Sequence, residues 1–399
     1  MTSRNWFAKS VLACGAISLL AAGREFAQPT APAKAPAVAL IDPGDAAQWE
    51  TWAKPLGWRV VAGPADQANI DARVQQLAKA VDQAVAGGTV DPARIYLAGR
   101  GEAAAAVFYT ISRVPDLWAA AVALGGSPQT AIDTGRIFAA NLSAVPVLWI
   151  SNGPGDEALA NRLRELKLNL EYHAAQGFTE RAVFEWLAAR RREPFPTEVD
   201  FETNSPTYAR CYWIQIAQFD PGERNDVIGT THLTANLKPL LDLGAFGYKT
   251  DDPGPGLLVN SLPDRYSGPL KLGDRIVALE GRSVENPRRY LELMAKYTED
   301  KPVVATVQRG RERVRVETRV VVPRPEAMLT GRVQAQYSPA EREIQIVSRT
   351  VKEMRLTIPS GWAGARLYWN GLLLEKIEKP GCLALAIDKE LLHSAPCAN

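Results

Sequence analysis

Between residues 37 and 194, short and nearly uninterrupted apolar runs alternate with longer amphipathic stretches, and this alternation constrains the chain more than any other feature. The runs are VALI (38–41), WRVVAG (58–63), RIYLAG (94–99), WAAAVALGG (118–126), VPVLWIS (145–151) and LNLEYH (168–173). Between them DARVQQLAKAVDQAV (71–85), DEALANRLRELK (156–167) and TERAVFEWLAARRR (179–192) read as helices. A strand apolar at almost every position needs cover on both faces, and a strand that returns through a helix runs parallel to its neighbour. The pattern predicts α/β architecture: a parallel sheet between helical layers, with any ligand crevice at the carboxyl ends of its strands.

After REPFP (192–196) the texture changes to period-2 alternation between turn residues, the signature of antiparallel sheet. The segments are VDFET (199–203), RCYWIQIAQF (210–219), GTTHLTANL (229–237), REIQIVSRT (342–350), EMRLTIP (353–359) and ARLYWNGLLLEKI (365–377). Inside this region, 254–322 reads as strands around a helix at 287–297. There LKLGDRIVALEGRSV (270–284) resembles a PDZ domain, with its Gly-Asp-Arg-Ile turn, strand and Gly turn. The expected organisation is a signal segment at 1–27, a Pro/Ala-rich linker at 28–36 and the α/β domain at 37–195. An antiparallel β domain follows in two pieces, 196–237 and 329–399, interrupted by a PDZ-like domain at 238–328. The two pieces form one sandwich or two separate small β units.

The N-terminus places Arg4 and Lys9 before an apolar run from Val11 to Gly23, the order of a secretory signal and too short to span a bilayer. The mature chain is therefore expected to be secreted or periplasmic, with no integral membrane segment. The alternative is a lipoprotein anchored through Cys14, with Val11-Leu12-Ala13 as the residues before it. Export permits disulfides, and Cys382 and Cys397 are close enough to staple the C-terminal tail, or are buried thiols. Cys211 reads as core. Lys and Arg total 46 against 44 Asp and Glu, without a basic stripe, which argues against a nucleic-acid partner. No metal-ligand spacing and no cofactor motif is present, and the three histidines are dispersed.

The stretch DPARIYLAGRGEAAAAVF (91–108) reads as turn, strand, sharp glycine turn and small-residue helix, the layout of a serine-hydrolase nucleophile elbow. On this stretch, the VPVLWISNGPGD segment and the WLAARRREPFP helix end, residues 37–195 resemble an α/β-hydrolase. The most similar group is the secreted esterases related to polyhydroxybutyrate depolymerases and dienelactone hydrolases. The resemblance begins at the family's third strand, and it implies a triad and an oxyanion hole. In GRGEA (99–103), Gly101 stands at the serine position, where no side chain is available to attack. Asp156 stands where the orienting acid is expected, or serves as a helix start. Phe178 follows Gly177 at the place of the histidine and cannot take a proton. The oxyanion-loop equivalent IDPGD holds Asp42, Pro43 and Gly44; Pro43 has no N–H and Asp42 brings negative charge. Ser127 and His173 are the rescue candidates beside Asp156.

Three readings follow. The first is an exported pseudo-esterase that keeps fold and crevice for binding or scaffolding. The second is an active carboxylic ester hydrolase using a different set, such as Ser127, Asp156 and His173. The third is a peptide-binding protein acting through the PDZ-like segment, where Leu243, Gly244, Ala245 and Phe246 form a peptide C-terminus loop or an ordinary hairpin turn. Trp213, Trp362, Tyr368 and Trp369 form a platform for an extracellular polymer, or are core.

Overall fold

The computed structural model describes residues 34–64, 69–225, 227–233, 238–263, 265–323, 328–389 and 391–397. The signal segment and Cys14 lie outside the described residues. Among the described residues, β1 (Ala35–Leu40), β2 (Arg59–Ala62), β3 (Val90–Arg100), β4 (Ala120–Leu124), β5 (Val147–Ile150) and β6 (Leu170–His173) form one parallel sheet. Their order is β2-β1-β3-β4-β5-β6. The chain builds outward from β1 in one direction and then the other, so the order reverses between β1 and β3, the place where such sheets open a crevice.

Alternate residues on each strand feed opposite cores. Ala37, Ala39, Ile95, Leu97, Ala121 and Trp149 pack against α2 (Ile70–Ala86), α3 (Ala103–Arg113) and α4 (Asp156–Glu165). Val38, Leu40, Tyr96, Ala98, Val122 and Leu148 pack against Trp49 of α1 (Ala46–Ala53) and Val183, Phe184 and Leu187 of α5 (Glu180–Ala188). This two-sided cover is why the strands carry apolar residues at almost every position. The helices start on local signals: Asn69 Oδ1 accepts the Asp71 N–H at 2.9 Å, and Thr179 Oγ1 accepts the Ala182 N–H at 3.3 Å.

Beyond the α/β layer, two five-stranded sheets of described residues share one core drawn from both 199–216 and 333–387. Residues 240–321 build a separate sheet with its own core and a helix, α6 (Pro287–Met294). Where 210–219 reads as one strand, Tyr212 adopts φ +52° and the chain turns, so Arg210–Cys211 folds back onto Ile214–Phe219. Likewise 365–377 is a hairpin: Asn370 and Gly371, at φ +49° and +84°, form the Asn-Gly turn that joins Arg366–Trp369 to Leu372–Leu374. In 229–237 only His232–Leu233 is a described strand, and it pairs with Ile137–Phe138 beside the α/β layer.

The buried Glu202 carboxylate fastens these parts together. It accepts from Thr230 Oγ1 at 2.7 Å, Thr231 N at 2.6 Å and Thr330 Oγ1 at 2.6 Å, and Arg349 Nη2 stands 3.3 Å away. The Asn141 side chain bonds the Glu202 backbone through both its amide groups, tying the α/β layer to the sandwich.

The aromatic platform is not formed. Trp213, Trp362 and Trp369 are buried in the sandwich core, with Trp213 Nε1 donating to Pro196 O at 3.0 Å and Trp369 Nε1 to Ser348 Oγ at 2.7 Å. Their inward strand positions and paired N–H groups leave only Tyr368 half-exposed. Cys382 and Cys397 are disulfide-bonded, and Cys211 is a buried free thiol whose pKa burial pushes well up.

Candidate functional site

β3 ends at Arg100 and α3 begins at Ala103, with only two residues between them, so Gly101 carries the turn at φ +59°. Its neighbours show why the turn is so tight. A Cβ at Gly99 would stand 2.6 Å from the Ala103 carbonyl oxygen and 2.8 Å from Val107 Cγ2, so the helix crosses directly over the strand end. A Cβ at Gly126 would overlap the Gly101 carbonyl oxygen. At Gly101 itself an added Cβ would meet nothing within 4 Å. The turn backbone is held from two sides, and at Gly101 it opens into free space.

That space is a pocket of about 400 Å³ at the carboxyl ends of the strands. Gly101, Leu124, Gly125 and Ile150 form its floor, all at or just past strand ends. Trp49 and Trp52 of α1, with Phe178 and Phe184, form its walls. Trp49 and Trp52 meet edge to face at 5.2 Å and Trp49 lies 6.0 Å from Phe184, so the aromatic wall is continuous. The Trp49 indole Nε1 is buried without a hydrogen-bond partner among the described residues. The polar groups on the lining are Arg100, Thr179 and Glu180. Among the described residues, neither Arg100 nor Glu180 has an ion-pair partner.

Gly101 and Phe178 thus share one pocket, while Asp156, Ser127 and His173 are outside its lining. Asp156 is buried in the first turn of α4, and its Oδ2 accepts the Ser151 hydroxyl at 2.6 Å. Gly155, at φ +84°, occupies the cap position before it. His173 Nε2 lies 2.8 Å from Glu171 Oε1, and its ring packs 4.9 Å from Phe178. The Glu171 carboxyl is held below its ordinary range by hydrogen bonds from His173 and from Trp186 Nε1. Ser127 Oγ accepts from Gln129 N at 3.4 Å, as the start of a short helical turn. No hydrogen bond joins any two of Ser127, Asp156 and His173 among the described residues.

The Asp42–Gly44 loop satisfies itself. Asp42 Oδ1 accepts the Gly44 N–H at 2.9 Å, and Pro43 O accepts the Ala46 N–H, so the loop closes into a short helical turn. Asp42, Pro43 and Gly44 are outside the pocket lining. Trp49 and Trp52, which sequence reasoning missed, have a readable signal: i,i+3 spacing in AAQWETWA places both on one helix face.

In 240–321, Leu243 is buried and its N–H bonds Leu241 O at 2.9 Å. Gly244 has φ +77° with the Tyr266 ring against it, and Tyr266 Oη donates to Leu243 O. Among the described residues the next strand, Gly247–Tyr248, is an edge that pairs only with Leu257–Ser261. Tyr248 lies 6.1 Å from Tyr290 of α6, edge to face, so the edge strand packs against the helix.

No family model matches the chain, and no curated protein matches it. Among solved structures, a variant of Arabidopsis thaliana SOBER1 superposes with TM-score 0.30 at 13% identity, covering 39% of this chain and 99% of that one. A thermostable esterase superposes with TM-score 0.30 at 17% identity, covering 41% and 57%. Esterase PE8 gives 0.28 at 20% identity, covering 39% and 91%. At these scores the architecture rests on the chain's own sheet order and helix placement.

Proposed function

We propose that this chain is an exported, non-catalytic α/β-hydrolase-like protein that binds a small, largely apolar ligand at the Gly101 crevice without cleaving it. One observation carries the reading: the elbow backbone is intact and its pocket open, yet Gly101 supplies no nucleophile and Phe178 fills the facing wall. The supporting geometry is the self-satisfied Asp42–Gly44 turn and the engagement of Asp156 by Ser151. A triad acts as a unit, so loss of serine and histidine together removes nearly all of its rate. The aromatic walls suit an acyl chain or ring, and Arg100 suits a polar or anionic end. The Cys382–Cys397 disulfide supports an oxidising compartment.

The test is a fluorophosphonate probe and a panel of short acyl esters applied to the purified full chain. No labelling and no turnover above an empty-vector preparation is the expected result. Labelling at any serine returns the chain to the active hydrolases.

A second reading concerns 238–328, taken as a PDZ-like module. Among the described residues the N–H groups of Gly244, Ala245 and Phe246 donate to no protein acceptor, and they precede the edge strand beside α6. Such a row of free donors suits a peptide carboxylate, and the edge suits an added strand. A C-terminal peptide library that yields no binder to the full chain counts against it.

A further inference from the structure

Three arginines from separate segments converge on a second pocket, of about 320 Å³, where the α/β layer meets the outer face of a sandwich sheet. Arg192, beyond α5, is fixed there: its Nε donates to Pro92 O at 3.2 Å and its Nη1 to Asp116 O. Arg210 and Arg355 belong to the sheet. Arg210 is directly opposite Gln215, and Gln215 directly opposite Arg355, so all three project from one face. The two guanidinium-bearing positions are two strand spacings apart, about 9.5 Å.

The charge at this place is unbalanced. Asp116 is the one carboxylate on the lining, and it is already engaged: Oδ2 accepts the Tyr212 N–H at 3.2 Å and lies 3.7 Å from Arg210 Nε. The Arg355 side chain has no hydrogen bond or ion pair among the described residues, and neither have the side chains of Gln215 and Thr357 beside it. Between Arg210 and Arg355, position 215 carries a neutral amide and no carboxylate.

The geometry points to an oxyanion-binding site in this pocket, which takes a phosphate- or sulfate-bearing ligand between Arg210, Gln215 and Arg355 with Arg192 behind. Planar guanidinium forks match the oxygen geometry of such groups, and the Gln215 amide and Thr357 hydroxyl supply neutral donors. The rings of Phe195 and Tyr212 also line the pocket, so an organic body on the ester has an aromatic surface to rest on. The site is separate from the Gly101 crevice and stands whether or not that crevice is catalytic.

The test is calorimetric titration of the full chain at constant ionic strength, with inorganic phosphate, inorganic sulfate, phenyl phosphate, phenyl sulfate and a chloride control. Saturable one-site binding of a phenyl ester is expected, tighter than the inorganic ion, with the preferred member of each pair identifying the oxyanion. Arg355→Gln and Arg210→Gln each weaken it by about tenfold or more, while Arg313→Gln, in the 240–321 unit, leaves it unchanged. No saturable binding above chloride overturns the site, as does binding that Arg355→Gln leaves intact or that Arg313→Gln weakens equally. Should Arg355→Gln not fold, Arg355→Lys decides, because it keeps the charge but loses the fork. Several-fold weaker binding is then expected, and unchanged binding refutes the assignment.

Discussion

The glycines around the elbow make opposite demands, and replacing them one at a time tests whether the turn is built as described. The Cβ of Gly101→Ser meets no atom within 4 Å, so its cost is conformational: a non-glycine residue at φ +59° costs about 1–2 kcal/mol. Gly99→Ala places its methyl 2.6 Å from the Ala103 carbonyl oxygen and 2.8 Å from Val107 Cγ2, and α3 must shift. Overpacking of this kind costs roughly 1–3 kcal/mol, at the upper end here because one partner is backbone. Gly126→Ala drives a methyl into the Gly101 carbonyl itself and into Ala104, so it is the most damaging. The expected order of loss is Gly101→Ser, then Gly99→Ala, then Gly126→Ala. Because buried tryptophans are divided between separate cores, global fluorescence would mix transitions. Hydrogen exchange of the peptide spanning 99–113, read by mass spectrometry, reports on the elbow alone. A Gly99→Ala variant exchanging like the parent, or Gly101→Ser as damaged as Gly126→Ala, refutes the described crossing of helix over strand.

Other outcomes follow from the same geometry. Gly101→Ser alone gains no ester hydrolysis, because among the described residues no imidazole lines the pocket beside the new hydroxyl; adding Phe178→His gives measurable turnover of short acyl esters, and complete inertness of the folded double variant counts against the elbow alignment. Glu202→Ala strands Arg349 and several hydroxyls in a buried junction and costs about 3–5 kcal/mol, read as a lowered Tm. Removing the Cys382–Cys397 bond costs at most about 3 kcal/mol for its loop length, and less in practice, because Leu383 and Pro396 already pair across the same hairpin. Burial pushes the Asp274 carboxyl up, but hydrogen bonds from Arg309 and the Lys271 N–H outweigh it and leave the pKa lowered. Its folded pKa lies below its unfolded one. The stabilisation is therefore present above the usual Asp range, near about 3.9, and is lost as pH falls through the lowered value. Asp274→Asn should flatten that acid limb of unfolding in 240–321, and an unchanged limb refutes the role.

Local pattern alone determined the parallel α/β layer, because strands apolar at every position have no stable place except between two helical layers. It also marked the elbow, since Gly99, Gly101 and Ala103 meet a steric need that spans only five residues. The Asn370-Gly371 turn was equally local and legible, though an unbroken apolar run on both sides disguised it as one strand. Tertiary structure decided everything that depends on residues distant in sequence. The walls of the crevice come from α1 and α5, more than 120 residues apart, and no period or motif records that they meet. Ser127, Asp156 and His173 are each suited to catalysis by type; that they do not meet one another was decided by the fold, which leaves Asp156 bonded to Ser151 and His173 to Glu171, partners only five and two residues away. The arginine pocket is the clearest case. Arg192, Arg210 and Arg355 are unremarkable in a nearly neutral sequence, and become a concentration of charge only where a strand pairing and a layer contact bring them to one place.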